Sequence, residues 1–190
     1  ILCSNERESG HSRTETVFLP RHVPDMQLSI QHKFAFLCIP KCGSTSVEQA
    51  IRRLCDVRLA GHPSVKHINV RTYERHVRPL LAVADPKREI ELFCIMREPV
   101  DRLRSWYKYQ QRSELKNPSH HNHSRYTGNV TFTEFVVAYL SENRPAYANI
   151  GTQSNFVRRT DGTIGVSRIF RLDRMDSVAE FLSSKCGRPV

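Results

Sequence analysis

Lys33-Phe-Ala-Phe-Leu-Cys-Ile39 runs directly into Pro40-Lys-Cys-Gly-Ser-Thr-Ser46 and then into Val47-Glu-Gln-Ala-Ile-Arg-Arg-Leu-Cys55. The first segment is a short, unbroken apolar run ended by proline, the pattern of a strand buried on both faces. The second is a tight turn of small and polar residues. In the third, apolar side chains at positions 47, 50, 51, 54 and 55 recur with helical period, which marks one helix face for the core. Strand, loop and helix in this order form the basic unit of an α/β fold.

The unit recurs downstream. Glu89-Ile-Glu-Leu-Phe-Cys-Ile-Met96 is a second apolar run, and Arg97-Glu98 leads from it to Pro99, a residue suited to the first position of a helix. That helix extends to about Arg112 and carries Val100, Leu103, Trp106 and Tyr107 on one face. Residues 69–84 read as a strongly basic helix, and 113–130 as an exposed loop rich in Ser, Asn, His and Gly. Thr131-Phe-Thr-Glu134 is a capping box opening a helix to about Ser141. Residues 164–171 read as a late strand and Met175 to Cys186 as a last helix. The pattern predicts one domain over residues 31–190, with a central, mostly parallel sheet flanked by helices. Residues 1–30, polar and interrupted by Pro20 and Pro24, read as a lead-in.

Composition narrows the function. With 190 residues, 39% hydrophobic and 25% charged, the chain fits one globular domain and not a disordered one. No apolar run approaches the ~20 residues that cross a bilayer, so no membrane span is expected within it. Lys plus Arg number 29 against 19 Asp plus Glu, for a net charge of +10, and 22 of the cations are Arg. Arginine captures phosphate and sulfate in bidentate fashion, so the partners expected are anionic: nucleotide, nucleic acid or an acidic polymer. The six cysteines are scattered without a CxxC pair or metal-ligand spacing, and no metal site is expected. His120, His121 and His123 lie in a polar stretch without an accompanying Cys or acidic ligand and read as part of a solvated loop.

In an open α/β sheet, ligands bind beyond the carboxyl ends of the strands. Two such ends carry unusual polar residues here. Pro40 to Ser46 brings amides, hydroxyls and Lys41 to a helix N-terminus, an arrangement that favours a phosphate. It is not a Walker A loop, because Lys41 precedes Gly43 instead of following the glycines. Arg97-Glu-Pro-Val-Asp-Arg102-Leu-Arg-Ser105-Trp-Tyr107 puts a guanidinium at a strand end and a hydroxyl two turns into the next helix, where both could share a second phosphate. Taken as residues alone, the first segment also fits a hydroxyl-capped turn. The second also fits an Arg paired with a helix carboxylate and a Ser facing solvent.

Together the two segments resemble the carbohydrate-type sulfotransferases, which use 3′-phosphoadenosine 5′-phosphosulfate. The first is similar to that family's 5′-phosphosulfate loop, the second to its 3′-phosphate motif. Gln153-Ser-Asn-Phe and Ile169-Phe-Arg-Leu-Asp-Arg-Met resemble further family elements more loosely. Cys42 departs from the Thr or other small residue of many members, and Leu172-Asp173 stands where a Glu is often found. The resemblance implies a P-loop-like domain without a metal. It implies that Lys41 contacts the bridging and 5′-phosphate oxygens, that Cys42, Gly43, Ser44, Thr45 and Ser46 line the 5′-phosphosulfate, and that Arg97 and Ser105 hold the 3′-phosphate. The acceptor implied is a hydroxyl, on a saccharide that could itself be anionic, and a general base should remove its proton. His67 in Lys66-His67 resembles a family segment with a catalytic His, and His62 is the second candidate. The competing readings are a P-loop-like nucleotide kinase, disfavoured by the misplaced Lys and the lack of a Walker B segment, and a basic nucleic-acid-binding module, which has no need of two such strand ends. No signal peptide is visible from Ile1, which suits a bacterial cytoplasmic enzyme. The tripeptides Asn122-His-Ser and Asn129-Val-Thr would instead suit a Golgi-lumen domain trimmed of an N-terminal anchor.

Overall fold

The computed structural model describes residues 26–190 apart from Gly61 and Arg88; residues 1–25, and with them most of the expected lead-in, lie outside the described residues. In chain order the elements are β1 (Met26–Ser29), β2 (Phe34–Leu37), α1 (Ser44–Ile51), β3 (Val57–Leu59) and α2 (Pro63–Lys66). Next come α3 (Val70–Thr72), a π-helical stretch (Tyr73–Val77) and α4 (Arg78–Ala84), followed by β4 (Glu91–Met96) and α5 (Pro99–Tyr109). The chain closes with α6 (Ser113–Lys116), α7 (Phe132–Leu140), α8 (Ser154–Val157), β5 (Arg168–Arg171) and α9 (Met175–Cys186).

The five strands form one sheet in the order β3-β1-β2-β4-β5. β2, β4 and β5 are mutually parallel, with Phe36 opposite Phe93 and Ile95 opposite Phe170. Parallel neighbours need crossover connections, which α1 to α4 and α5 to α8 supply. β1 and β3 add an antiparallel edge, so the fold is the expected α/β class, with its parallel strands at the centre and one antiparallel flank.

Strict alternation along β2 explains why it lies in the middle. Phe34, Phe36 and Cys38 enter one buried cluster with Val47 and Ile51 of α1 and Val178 and Leu182 of α9. Ala35, Leu37 and Ile39 enter the cluster on the opposite face, with Val70, Tyr73 and Val157. A third cluster packs Leu103 of α5 against Phe135 of α7, with Ala148 and Ile150.

Several boundaries differ from the sequence reading. β1 falls within the residues expected as lead-in, yet all four of its side chains are buried. Its polar members hid it: the Gln27 amide donates to the Glu48 carbonyl at 3.0 Å, and the Ser29 hydroxyl donates to the Asp56 carboxylate at 3.4 Å. The late strand covers only Arg168–Arg171; Ile164 makes an isolated bridge to Arg158 instead. The stretch 113–130 contains α6 and a short 3₁₀ turn, and α1 begins at Ser44, three residues earlier than its apolar face suggests. Among the described residues no helix is long and apolar enough to cross a membrane.

Candidate functional site

The carboxyl ends of β2 and β4 are neighbours, with Leu37 opposite Cys94, so the segments that follow them emerge at one edge of the sheet. After β2 the chain turns sharply: Lys41 has φ 68° and Gly43 φ 72°, both in the left-handed region. Glycine adopts that region freely, and a Cβ at Gly43 would also run into the Leu172 side chain. Gly43 is the N-cap of α1, whose first turn has neither an acidic residue nor a side-chain cap. Its amides are therefore open to an outside acceptor. Ser44 is buried at the start of the helix, while Thr45 and Ser46 are exposed.

α5 presents one strip to this loop. Arg102, Ser105 and Tyr109 are spaced three and four residues apart and so share a helix face. At one end of the strip Arg102, 4% exposed, donates from Nε to the Pro40 carbonyl at 3.1 Å and from Nη1 to the Gly151 carbonyl at 2.9 Å. At the other end the Lys41 ammonium lies 4.0 Å from the centre of the Tyr109 ring, and the Arg112 guanidinium lies 3.8 Å from the same centre. Ser105, half-buried, sits between them. Glu98 is occupied as the N-cap of α5, accepting from the Asp101 amide at 2.7 Å, and bonds to the Asp101 and Val100 amides hold its carboxyl below the usual range. Tyr107 faces away from the site, donating to the Val130 carbonyl at 2.8 Å and packing near Phe132 and Phe135.

Four cations converge here. Burial, together with the charges of Arg112, Arg97 and Lys66, pushes the half-buried Lys41 ammonium below the ordinary lysine value. None of Lys41, Lys66, Arg97 and Arg112 forms an ion pair among the described residues. Like charges brought together without carboxylates repel one another unless an anion enters between them. Beside Arg97, a cavity of about 470 Å³ is lined by Met96, Glu98, Pro99, Asp101, Arg171, Leu172 and Asp173. Asp173 forms a bidentate pair with Arg171, at 2.9 and 2.5 Å.

The two histidines separate clearly. His67 is half-buried, with Nδ1 2.7 Å from the Cys38 carbonyl at the end of β2. A carbonyl can only accept, so Nδ1 carries the hydrogen and the neutral ring keeps its lone pair on Nε2. Burial pushes the His67 pKa below its ordinary value, and Lys66 adds to the shift. His62 is exposed and caps α2, its Nδ1 accepting from the Ser64 amide at 3.2 Å and its carbonyl from the Val65 and Lys66 amides. Away from the site, His123 donates from Nδ1 to the Leu115 carbonyl at 2.8 Å, and His120 Nδ1 accepts from the Asn122 amide. Among the described residues no cluster of His, Cys, Asp and Glu could hold a metal ion.

Gln153 is the site residue whose part the sequence did not reveal. Its Oε1 accepts from the Arg97 amide at 2.8 Å and from the Cys42 thiol at 3.0 Å, and its Nε2 donates to the Arg97 carbonyl at 2.8 Å. Its partners lie 56 and 111 residues away, and two of the three bonds are to main chain, so no local pattern announces them.

No curated protein and no solved structure gives a match to the chain. A family model does: residues 24–188, which take in both strand ends, the Gln153 segment and every described strand, match the model of the sulfotransferase family, and the chain belongs to that family.

Proposed function

We propose that this sulfotransferase uses 3′-phosphoadenosine 5′-phosphosulfate as donor and a carbohydrate hydroxyl as acceptor, with His67 as the base. The observation that carries the reading is the gathering of cations unpaired among the described residues at the loop that opens α1: Lys41 in that loop shares the Tyr109 ring with Arg112, and it also feels the charges of Arg97 and Lys66. A donor with phosphate at both ends of a nucleoside suits cations and amides at two adjacent strand ends, and the cavity beside Arg97 offers room for its nucleoside. The donor supplies an activated sulfuryl group with a phosphate oxygen as leaving group.

This chain's residues then have separate tasks. The α1 amides and the hydroxyls of Ser44, Thr45 and Ser46 bind the 5′ end, while Arg97 and Ser105 bind the 3′-phosphate. Lys41 sits where negative charge grows on the leaving oxygen, so its contact strengthens toward the transition state. His67 accepts the acceptor hydroxyl's proton at Nε2 while Nδ1–H stays anchored on Cys38, and the resulting imidazolium keeps that partner. Acceptor oxygen binds sulfur as the sulfur–phosphate oxygen bond breaks, a displacement in which positioning and electrostatics dominate, as in phosphoryl transfer.

The test is transfer of labelled sulfate from this donor to a panel of saccharides by wild type and Lys41→Ala. Turnover should fall about a hundredfold in the variant, while adenosine 3′,5′-bisphosphate binding weakens far less. No transfer by the wild type to any saccharide would remove the carbohydrate acceptor, and equal losses of turnover and binding would remove Lys41 from the leaving group.

A further inference from the structure

Arg97 stands just beyond the end of the β4 ladder. The last β4–β5 pair is Met96 with Arg171, and the Met96 carbonyl accepts from the Leu172 amide at 2.9 Å. One residue later no strand is left to satisfy the main chain, and Gln153 takes that place with a side chain. A primary amide carries a donor and an acceptor on one rigid plane, which matches the N–H and C=O of a single residue. The second lone pair of Oε1 is used by the Cys42 thiol. Cys42 is itself 1% exposed and belongs to the loop between β2 and α1. One side chain thus ties the Arg97 end of β4 to the loop after β2, and Arg102 makes a second tie from Pro40 to Gly151.

We propose that Gln153 is a positioning residue that sets the spacing between the 5′-phosphosulfate loop and Arg97, so that the two phosphate subsites bind one donor as a unit. The proposal rests on the donor reading above. Gln153 touches no reacting atom; it acts through the Arg97 main chain and through Cys42. Its chemistry is demanding. Leucine at this position would fill the space and make none of the three bonds, leaving an amide and a carbonyl without partners. Cys42 likewise contributes a donor that serine retains and alanine lacks.

The experiment compares binding of adenosine 3′,5′-bisphosphate with adenosine 5′-monophosphate in wild type, Gln153→Leu, Cys42→Ala and Cys42→Ser, together with hydrogen exchange at the Arg97 amide of the free enzyme. In Gln153→Leu the preference for the bisphosphate should drop about tenfold, as expected for loss of one to two net hydrogen bonds. General loosening of the protein would weaken both nucleotides alike and leave the ratio unchanged. Cys42→Ala should lower the ratio about threefold and Cys42→Ser should keep it, and this pair decides the question if Gln153→Leu does not fold. Wild-type ratios in both Gln153→Leu and Cys42→Ala would overturn the proposal, as would an unprotected Arg97 amide in the wild type. A wild type that does not distinguish the two nucleotides while its Arg97 amide is protected would instead overturn the donor reading, and with it the purpose assigned to Gln153.

Discussion

His67 gives its Nδ1 hydrogen to the Cys38 carbonyl, and burial keeps the ring from taking up a second proton until the solution is more acidic than an exposed histidine requires. In the role of base proposed for it, His67 is active when neutral. The acid limb of kcat/KM should therefore fall with an apparent pKa below the ordinary histidine value of 6.5. In His67→Asn that limb should vanish along with most of the activity. A limb at or above 6.5 would assign the base to another group. The same shift acts on stability. The unfolded chain takes the proton at a higher pH than the folded one, so the contribution of neutral His67 is present above the unfolded value and is lost as pH falls through the folded one.

Among the elements, β4 is where packing is most concentrated. The Phe93 ring has its centre 5.0 Å from that of Phe36, 5.2 Å from Phe181, 5.9 Å from Phe34 and 6.0 Å from Phe170, which joins three strands to α9. Phe93→Ala should cost about 3–5 kcal/mol in urea unfolding, whereas Val137→Ala on the exposed face of α7 should cost well under 1 kcal/mol. Similar costs would mean that α9 does not close the sheet as described. Elements of this kind were legible in the sequence because burial on both faces forces an apolar run, and β2, β4, α1 and α5 all came from such runs and the helices after them. β1 was not, because Gln27 and Ser29 reach the interior by finding partners far along the chain. The first strand-end motif of the site was legible for a related reason: a loop that must turn at Lys41 and Gly43 and open a helix needs small residues in a fixed order, while the second shows as a charged pair and Pro99 set between an apolar run and a helix. Gln153 stood out only as the head of a loosely matching segment, and its task was hidden, since hydrogen bonding to another segment's main chain leaves no mark on its neighbours. Tyr109 carries no mark in the sequence that sets it apart from the other aromatics of its helix, and only the structure brings Lys41 and Arg112 over its ring.

The molecule as a whole carries +10, and Lys66, Arg97 and Arg112 are gathered near Lys41, beyond the carboxyl end of β2. Binding of a multiply charged nucleotide should therefore depend on salt. Raising KCl from about 50 to about 500 mM shortens the screening length roughly threefold, and titration calorimetry should show adenosine 3′,5′-bisphosphate binding weakened about tenfold. Affinity independent of salt would mean that the bound anion does not meet the cluster.

The order in which the tied segments occur along the chain has a consequence for biosynthesis. Residues 40–46 leave the ribosome first, residues 97–105 follow, and the segment 151–153 that joins them comes last. A nascent chain thus displays both strand-end segments well before it contains the side chain that bonds to each of them. A donor bound as proposed would find its two subsites tied together only after residue 153 has been made, so it could not serve as a template for the folding of the segments made earlier.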